Sequence, residues 1–260
     1  MPIILWILLG CLVSGVLSLI GGAILFIKED WVRRFSTHLV SFAVGALLAT
    51  AFLDLLPEAV EHGSESGMPI ENILLAVMVG MIGFFFLEGL ILKFHPHHHD
   101  DEDEFHHHAT PNLLLVGDTL HNAIDGVVIA GAFLTNIPLG IVTALAVAAH
   151  ELPQEIGDFS VMLHHGWSRA KVLFVNVLSS LSNIVGALAA FFAIDYLEPR
   201  LPVLLAVTSG IFIYIAAADL IPEISIYHRR DKMSHIAVLL LLGIFAVWIL
   251  KYYLEGTIHA

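Results

Sequence analysis

Apolar residues run along this chain in long blocks, with polar residues gathered between the blocks rather than alternating within them. Eight blocks are long enough to cross a hydrocarbon layer as helices, which takes about 20 residues each. They cover residues 3–27, 35–60, 69–94, 111–134, 138–163, 170–194, 202–227 and 235–254. Lipid offers a backbone no hydrogen-bond partners, so blocks of this length cross it as helices. The pattern predicts an all-α integral membrane protein forming one membrane domain over residues 1–260. Two blocks depart from it. The fourth carries DTLHNAIDG at 118–126, and the fifth runs from IVTALAVAA straight into HELPQEIGD at 150–158.

Composition agrees with the blocks: 58% of residues are hydrophobic and 13% charged, which excludes an ordinary water-soluble domain. Lys and Arg resist translocation, and nine of the eleven fall in or beside the first, third, fifth and seventh connections: Lys28, Arg33, Arg34, Lys93, Arg169, Lys171, Arg229, Arg230 and Lys232. Arg200 and Lys251 lie on the other side, so both termini are predicted outside. The formal charge of -13 sits largely within the spans and in one loop, and nothing in it points to nucleic acid. That loop, residues 95–110, opens with HPHHHDDEDEFHHH; it is read as a cytoplasmic linker able to bind divalent metal weakly without a fixed site. Cys11 is the single cysteine, which excludes an intrachain disulfide and a cysteine-based zinc site. Nothing basic precedes the first block and it is too long for a signal-peptide core, so it is expected to stay in the mature protein. Short loops then favour a prokaryotic plasma membrane.

A repeat organises the blocks. DLLPE at 54–58 recurs as DLIPE at 219–223, and the same offset of 165 residues lays Gly45 on Gly210, Ala51 on Ala216, and SGVLSLIGG at 14–22 over SSLSNIVGA at 179–187. Spans one to three therefore match spans six to eight, with spans four and five between them. The first triplet starts outside and the second inside, so the copies are inverted, as in secondary transporters with a site near the midplane. The expected architecture is eight transmembrane helices in a 3+2+3 inverted-repeat bundle.

The polar interruptions carry the chemistry. At about 100° per residue, Asp118, His121, Asn122 and Asp125 share an arc of about 100° on the fourth span. His150, Glu151, Gln154, Glu155 and Asp158 occupy one side of the fifth within about 140°. Charge at the bilayer centre costs several kcal/mol or more, so these faces look at each other rather than at lipid. His121 and His150 both fall near mid-depth, and imidazole, carboxylate and amide oxygen are together a donor set for a dehydrated divalent cation. Pro153 leaves the Ala149 carbonyl without its helical donor. Asp54 and Glu58 stand toward the outer end of the second span and Asp219 and Glu223 toward the inner end of the seventh, where acidic pairs would attract and release cations. For Asn183, Asp118 or Asp158 alone, an interhelical hydrogen bond explains the residue equally well.

With these residues in view, the chain resembles the ZIP (Zrt/Irt-like) metal-ion transporters over essentially its whole length. HNAIDG matches that family's H-N-x-x-[DE]-G pattern, and HELPQEIGD is similar to the H-E-x-P-H-E-x-G-D signature of its LIV-1 branch. The resemblance implies a two-metal transport site between the fourth and fifth spans, with His121, Asn122, Asp125, His150, Glu151 and Gln154 as ligands. It implies movement toward the cytoplasm, with zinc the commonest cargo and Fe, Mn and Cd as further candidates. Gln154 departs from the signature's second His, and Asn183 stands where some bacterial members have Glu, so the second metal position carries less charge here.

Two rival readings fit parts of the same pattern. HELPQ is similar to the HExxH of intramembrane zinc proteases, and three His with an Asp would also serve a lipid amidase. Gln154 leaves a protease zinc one ligand short, Pro153 interrupts the helix that would present it, and neither hydrolase explains the repeat. The other rival is a proton-coupled carrier of another solute. The expectation is therefore a metal transporter, not an enzyme, without a cofactor. Its partners are divalent ions and the bilayer, and a homodimer is a compatible assembly.

Overall fold

The computed structural model describes residues 1–24, 26, 29–93, 111–222, 224 and 233–256. The His-rich loop, Glu223, Lys28, Arg229, Arg230 and Lys232 lie outside the described residues. Among those described, the chain is helical and has no strand. Helix α1 is Ile3–Ile24, and α2 (Glu29–Ala49) continues through a π-helical turn, Thr50–Leu55, into α3 (Leu56–Glu65). Then come α4 (Ile70–Lys93), α5 (Pro111–Thr135), α6 (Ile137–His164), α7 (Arg169–Phe192), the short α8 (Ile194–Leu197) and a 3-10 turn at Glu198–Arg200. Helix α9 (Leu201–Tyr214) runs into a second π turn, Ile215–Leu220, and α10 is Met233–Gly256.

Six of these rods are long and apolar enough to cross a membrane: α1, α2 to α3 from His38, α4, α7, α9 with its π turn, and α10. The two that fall short are α5 and α6, because their carboxylates and imidazoles lower their hydropathy. Burial is inverted relative to a water-soluble protein. Leu12, Ile20, Phe86, Phe174, Val185, Leu241 and Trp248 face outward, while Asp118, Asn122, Asp125, His150, Glu151 and Glu155 are buried. Such an apolar exterior suits lipid, and this is an integral membrane protein.

The second rod runs past Pro57 unbroken because the π turn accommodates the proline without ending the helix. Pro57 has no N–H, so a regular helix would break its ladder there. Instead the Leu56 amide reaches back five residues to the Ala51 carbonyl. The Ile221 amide does the same to Ala216, ahead of Pro222. The two π turns stand at the offset of the sequence repeat, each opening onto one D-L-x-P-E copy.

Helix pairing follows the same exchange. Helix α1 packs on α6 as α7 packs on α5, and α2 packs on α10 as α9 packs on α4. Three of the crossings are built on reciprocal glycines. A Cβ on Gly45 would strike the Leu240 carbonyl, and one on Gly243 the Phe42 carbonyl; Gly210 and Gly80 meet Val77 and Val207 in the same way, and Gly126 and Gly186 meet Asn183 and Ala123. In each case the struck carbonyl is three residues before the partner glycine. Backbones approach this closely only where neither side carries a side chain.

Candidate metal centre

Helices α5 and α6 form an antiparallel hairpin around one residue, Asn136. Its side-chain oxygen accepts from the Leu139 amide at 2.8 Å, capping α6, and its amide nitrogen donates to Glu58 at 2.6 Å. This fixes the register in which the polar faces of the two helices meet. Helix α7 holds α5 from behind: Ser182 donates to the Thr119 carbonyl at 2.7 Å, and Thr119 and Ser179 hydroxyls lie 3.1 Å apart.

Between the two helices, His121 and Asp125 of α5 meet His150 and Glu151 of α6. The His121 and His150 Nε2 atoms are 3.1 Å apart. Asp125 Oδ2 is 3.3 Å from His150 Nε2 and 3.7 Å from His121 Nε2. Glu151 Oε1 is 3.4 Å from His121 Nε2 and 3.8 Å from His150 Nε2. Donors about 2.0–2.1 Å from a tetrahedral zinc stand about 3.3 Å from one another, and these five separations bracket that edge. His150 Nδ1 lies 3.3 Å from the Ala146 carbonyl; donation there leaves Nε2 as the free lone pair facing the cluster.

The cluster is dry. His150, Asp125 and Glu151 are each 1% exposed, and Asp125 Oδ2 and both Glu151 oxygens have no hydrogen-bond partner. Buried carboxylates left this way must be neutralised, by a proton, by a protonated imidazole or by a bound cation. Aromatic rings close the sides: Phe84 of α4 stands edge-on to His121 at 5.7 Å between centroids, and Phe212 of α9 to His150 at 6.1 Å. Neither Phe was singled out in the sequence, since a Phe in an apolar span reads as core.

A second group shares Glu151. One oxygen each of Asp118, Glu151 and Glu155 lie within 4.8 Å of one another, all three residues buried. Asn122 belongs to this level: its amide nitrogen donates to the carboxylate of Asp118 at 2.9 Å and to its backbone carbonyl at 3.1 Å. Gln154 is partly exposed, and the carboxylate that completes the second group is its neighbour Glu155. Asp158 and Asn183 are buried, with Asp158 Oδ2 and Asn183 Oδ1 unpartnered.

The acidic pair on the second rod is engaged rather than open. Lys251 of α10 lies 3.0 Å from Asp54 and donates at 2.6 Å to the Leu53 carbonyl, the one that Pro57 deprives of its helical donor. Glu58 receives Asn136 and lies 3.6 Å from His62. At the matching position of the second π turn, Asp219 is partly buried.

Among the described residues the fold is that of an all-helical membrane protein whose buried imidazole and carboxylate donors are gathered at a spacing that could hold a metal ion. The family model described as ZIP Zinc transporter matches residues 3–113 and 95–251, and the chain belongs to that family. Zinc transporter ZIP10 of Danio rerio is 39% identical over 127 residues, covering 47% of this chain and 15% of that protein. Zinc transporter foi of Drosophila melanogaster is 34% identical over 142 residues, 51% of this chain and 20% of the relative. Zinc transporter ZIP4 of Mus musculus is 36% identical over 152 residues, 57% and 23%. The matched stretch thus spans less than a quarter of these curated relatives.

Proposed function

We propose that the chain carries divalent transition-metal ions, zinc foremost, across the membrane toward the cytoplasm. The observation that carries this reading is the buried group of His121, Asp125, His150 and Glu151, whose donor separations suit one zinc ion and whose carboxylate oxygens have no other partner. Zinc is borderline-soft, and a mixed imidazole and carboxylate set favours it over hard cations. Asn122 and Gln154 extend the set as neutral ligands, and the relatives' names give the same cargo. Fe, Mn and Cd are secondary candidates with the same donors.

In this reading α5 and α6 cross the membrane with the six apolar rods, giving eight spans in a 3+2+3 inverted repeat with both termini outside. The exchange-related helix pairs and the two π turns support that arrangement, and the distribution of Lys and Arg supports its orientation. A hydrolase is disfavoured, because Gln154 replaces the second His of HExxH and Pro153 lies within α6. Radiolabelled zinc uptake into proteoliposomes tests the function, with Glu151→Ala as the comparison. Uptake that equals empty liposomes for the unmutated protein would end the transport reading.

A further inference from the structure

Lys251 stands near the end of α10, where a lysine in a membrane helix ordinarily extends its ammonium to water. This one turns inward instead. Its Nζ lies 3.0 Å from Asp54 Oδ1 and donates to the Leu53 carbonyl at 2.6 Å. The ammonium thereby takes two oxygens that the second rod offers at its π turn, a carboxylate and a backbone carbonyl that Pro57 strips of its helical donor. Glu58, one turn on, faces the same cleft, which Asn136, Leu139 and Val142 help to line. Asn136 and His62 both contact Glu58 Oε1, so Oε2 is spare. The cleft measures about 250 Å³ and has room beside the ammonium for about one water.

Charge and freedom are both unequal here. Two carboxylates and a carbonyl match a doubly charged ion, and the ammonium brings a single charge. The Asp54 side chain is 3% exposed and fixed to its rod, whereas that of Lys251 is 26% exposed on a flexible four-carbon stem. An ion arriving from water can therefore displace the ammonium outward without moving a helix. A monovalent ion gains nothing by this, because it brings the same charge as a competitor whose tether keeps its effective concentration high. A divalent ion brings twice that charge and adds Glu58 as a ligand.

We propose that Lys251 is a tethered competitor at the outer mouth: its ammonium holds the Asp54 and Leu53 oxygens against monovalent ions, yields them to an entering divalent ion, and reclaims them when that ion moves inward. Lys251 then sets which cations enter without binding any itself. Inward passage rests on the transport reading; the exchange itself does not.

The test is acylation of Lys251 by a water-soluble amine reagent in the purified full chain in detergent, read by peptide mass spectrometry at buffered free zinc. Lys171, which is exposed, serves as the internal reference. Unmutated protein, Asp54→Asn, Glu58→Gln and Glu151→Ala are compared, each checked for a single size-exclusion peak. Labelling of Lys251 is expected to be low without zinc and to rise severalfold with it, while Na+ exchanged for choline at fixed ionic strength leaves it unmoved. Asp54→Asn should label fully without zinc, and Glu58→Gln should need about tenfold more zinc for the same rise. Glu151→Ala should respond as the unmutated protein does, because the exchange precedes the histidine group. Labelling that zinc leaves unchanged or lowers overturns the proposal. So does a rise that Glu151→Ala abolishes, which would make Lys251 a reporter of the inner site, or a rise with Na+ equal to that with zinc. Should unmutated liposomes fail to take up zinc while zinc still releases Lys251, the transport reading fails and the exchange stands.

Discussion

Gly126→Ala adds one methyl group where α5 crosses α7, immediately after Asp125. Its Cβ would strike the Asn183 carbonyl oxygen and lie 2.7 Å from the Asn183 carbonyl carbon and 2.8 Å from the Ala187 amide nitrogen. Carbon contacts are comfortable at about 3.5–4.0 Å, so the helices must part by roughly 1 Å. Both contacts are backbone and cannot rotate away. Overpacking of this kind costs about 1–3 kcal/mol, against about 1 kcal/mol gained from alanine's helix propensity, for a net loss of up to about 2 kcal/mol. The larger effect is on the ligands. Asp125 and His121 ride on α5, and their separations of 3.3 Å and 3.4 Å to α6 donors leave little slack around one ion. A 1 Å misplacement of a working group can cost on the order of 10²-fold, and that is the fall expected in zinc uptake. The control is Gly83→Ala, where a Cβ meets nothing within 4 Å and uptake should be unchanged. Proteoliposome uptake across zinc concentrations, with thermal unfolding in detergent for both variants, makes the comparison. Gly126→Ala transporting with the unmutated KM and rate would refute the close crossing as what positions Asp125.

Asn136→Ala removes the α6 cap and the amide that meets Glu58, so the thermal midpoint should fall by the equivalent of about 1–2 kcal/mol; an unmoved midpoint would show that the hairpin is registered elsewhere. Lys251→Met withdraws an ammonium from Asp54, and both stability and the apparent KM for zinc are expected to drop. A KM unaltered across ionic strength would mean that incoming ions do not pass this pair. Pro153→Ala restores a donor to the Ala149 carbonyl, so unfolding should shift to the same or a higher temperature while uptake falls; full uptake would show that the interruption in α6 is not used in transport.

Much of this was legible in the letters. DLLPE and DLIPE announced two related segments, and HNAIDG with HELPQEIGD announced a polar hairpin, because charges in apolar blocks have few tolerable explanations. Helical periodicity placed His121, Asp125, His150 and Glu151 on facing sides. It put Gln154 and Glu155 together on the polar side of α6, and the resemblance named Gln154 as the ligand; that an oxygen of Glu155 stands within 4.8 Å of Asp118 and Glu151 depends on packing that no periodicity reveals. Lys251 entered as an exception to the charge rule, and its contact with Asp54 crosses almost the whole chain, beyond the reach of any local pattern. The π turns were hidden for a different reason. Pro57 and Pro222 read equally well as kinks, and the five-residue hydrogen bonds at Ala51 and Ala216 depend on how each rod is held by its neighbours.

The reciprocal glycines have one more consequence. They fix which residues of α4 and α10 stand at corresponding places, and the interval from Gly80 to Gly243 carries Glu88 onto Lys251. Two scaffolds of matching shape thus carry a basic residue in one copy where the other has an acidic one. Geometry that the chain repeats is not repeated in charge: the exchange that carries one copy onto the other preserves shape and reverses sign.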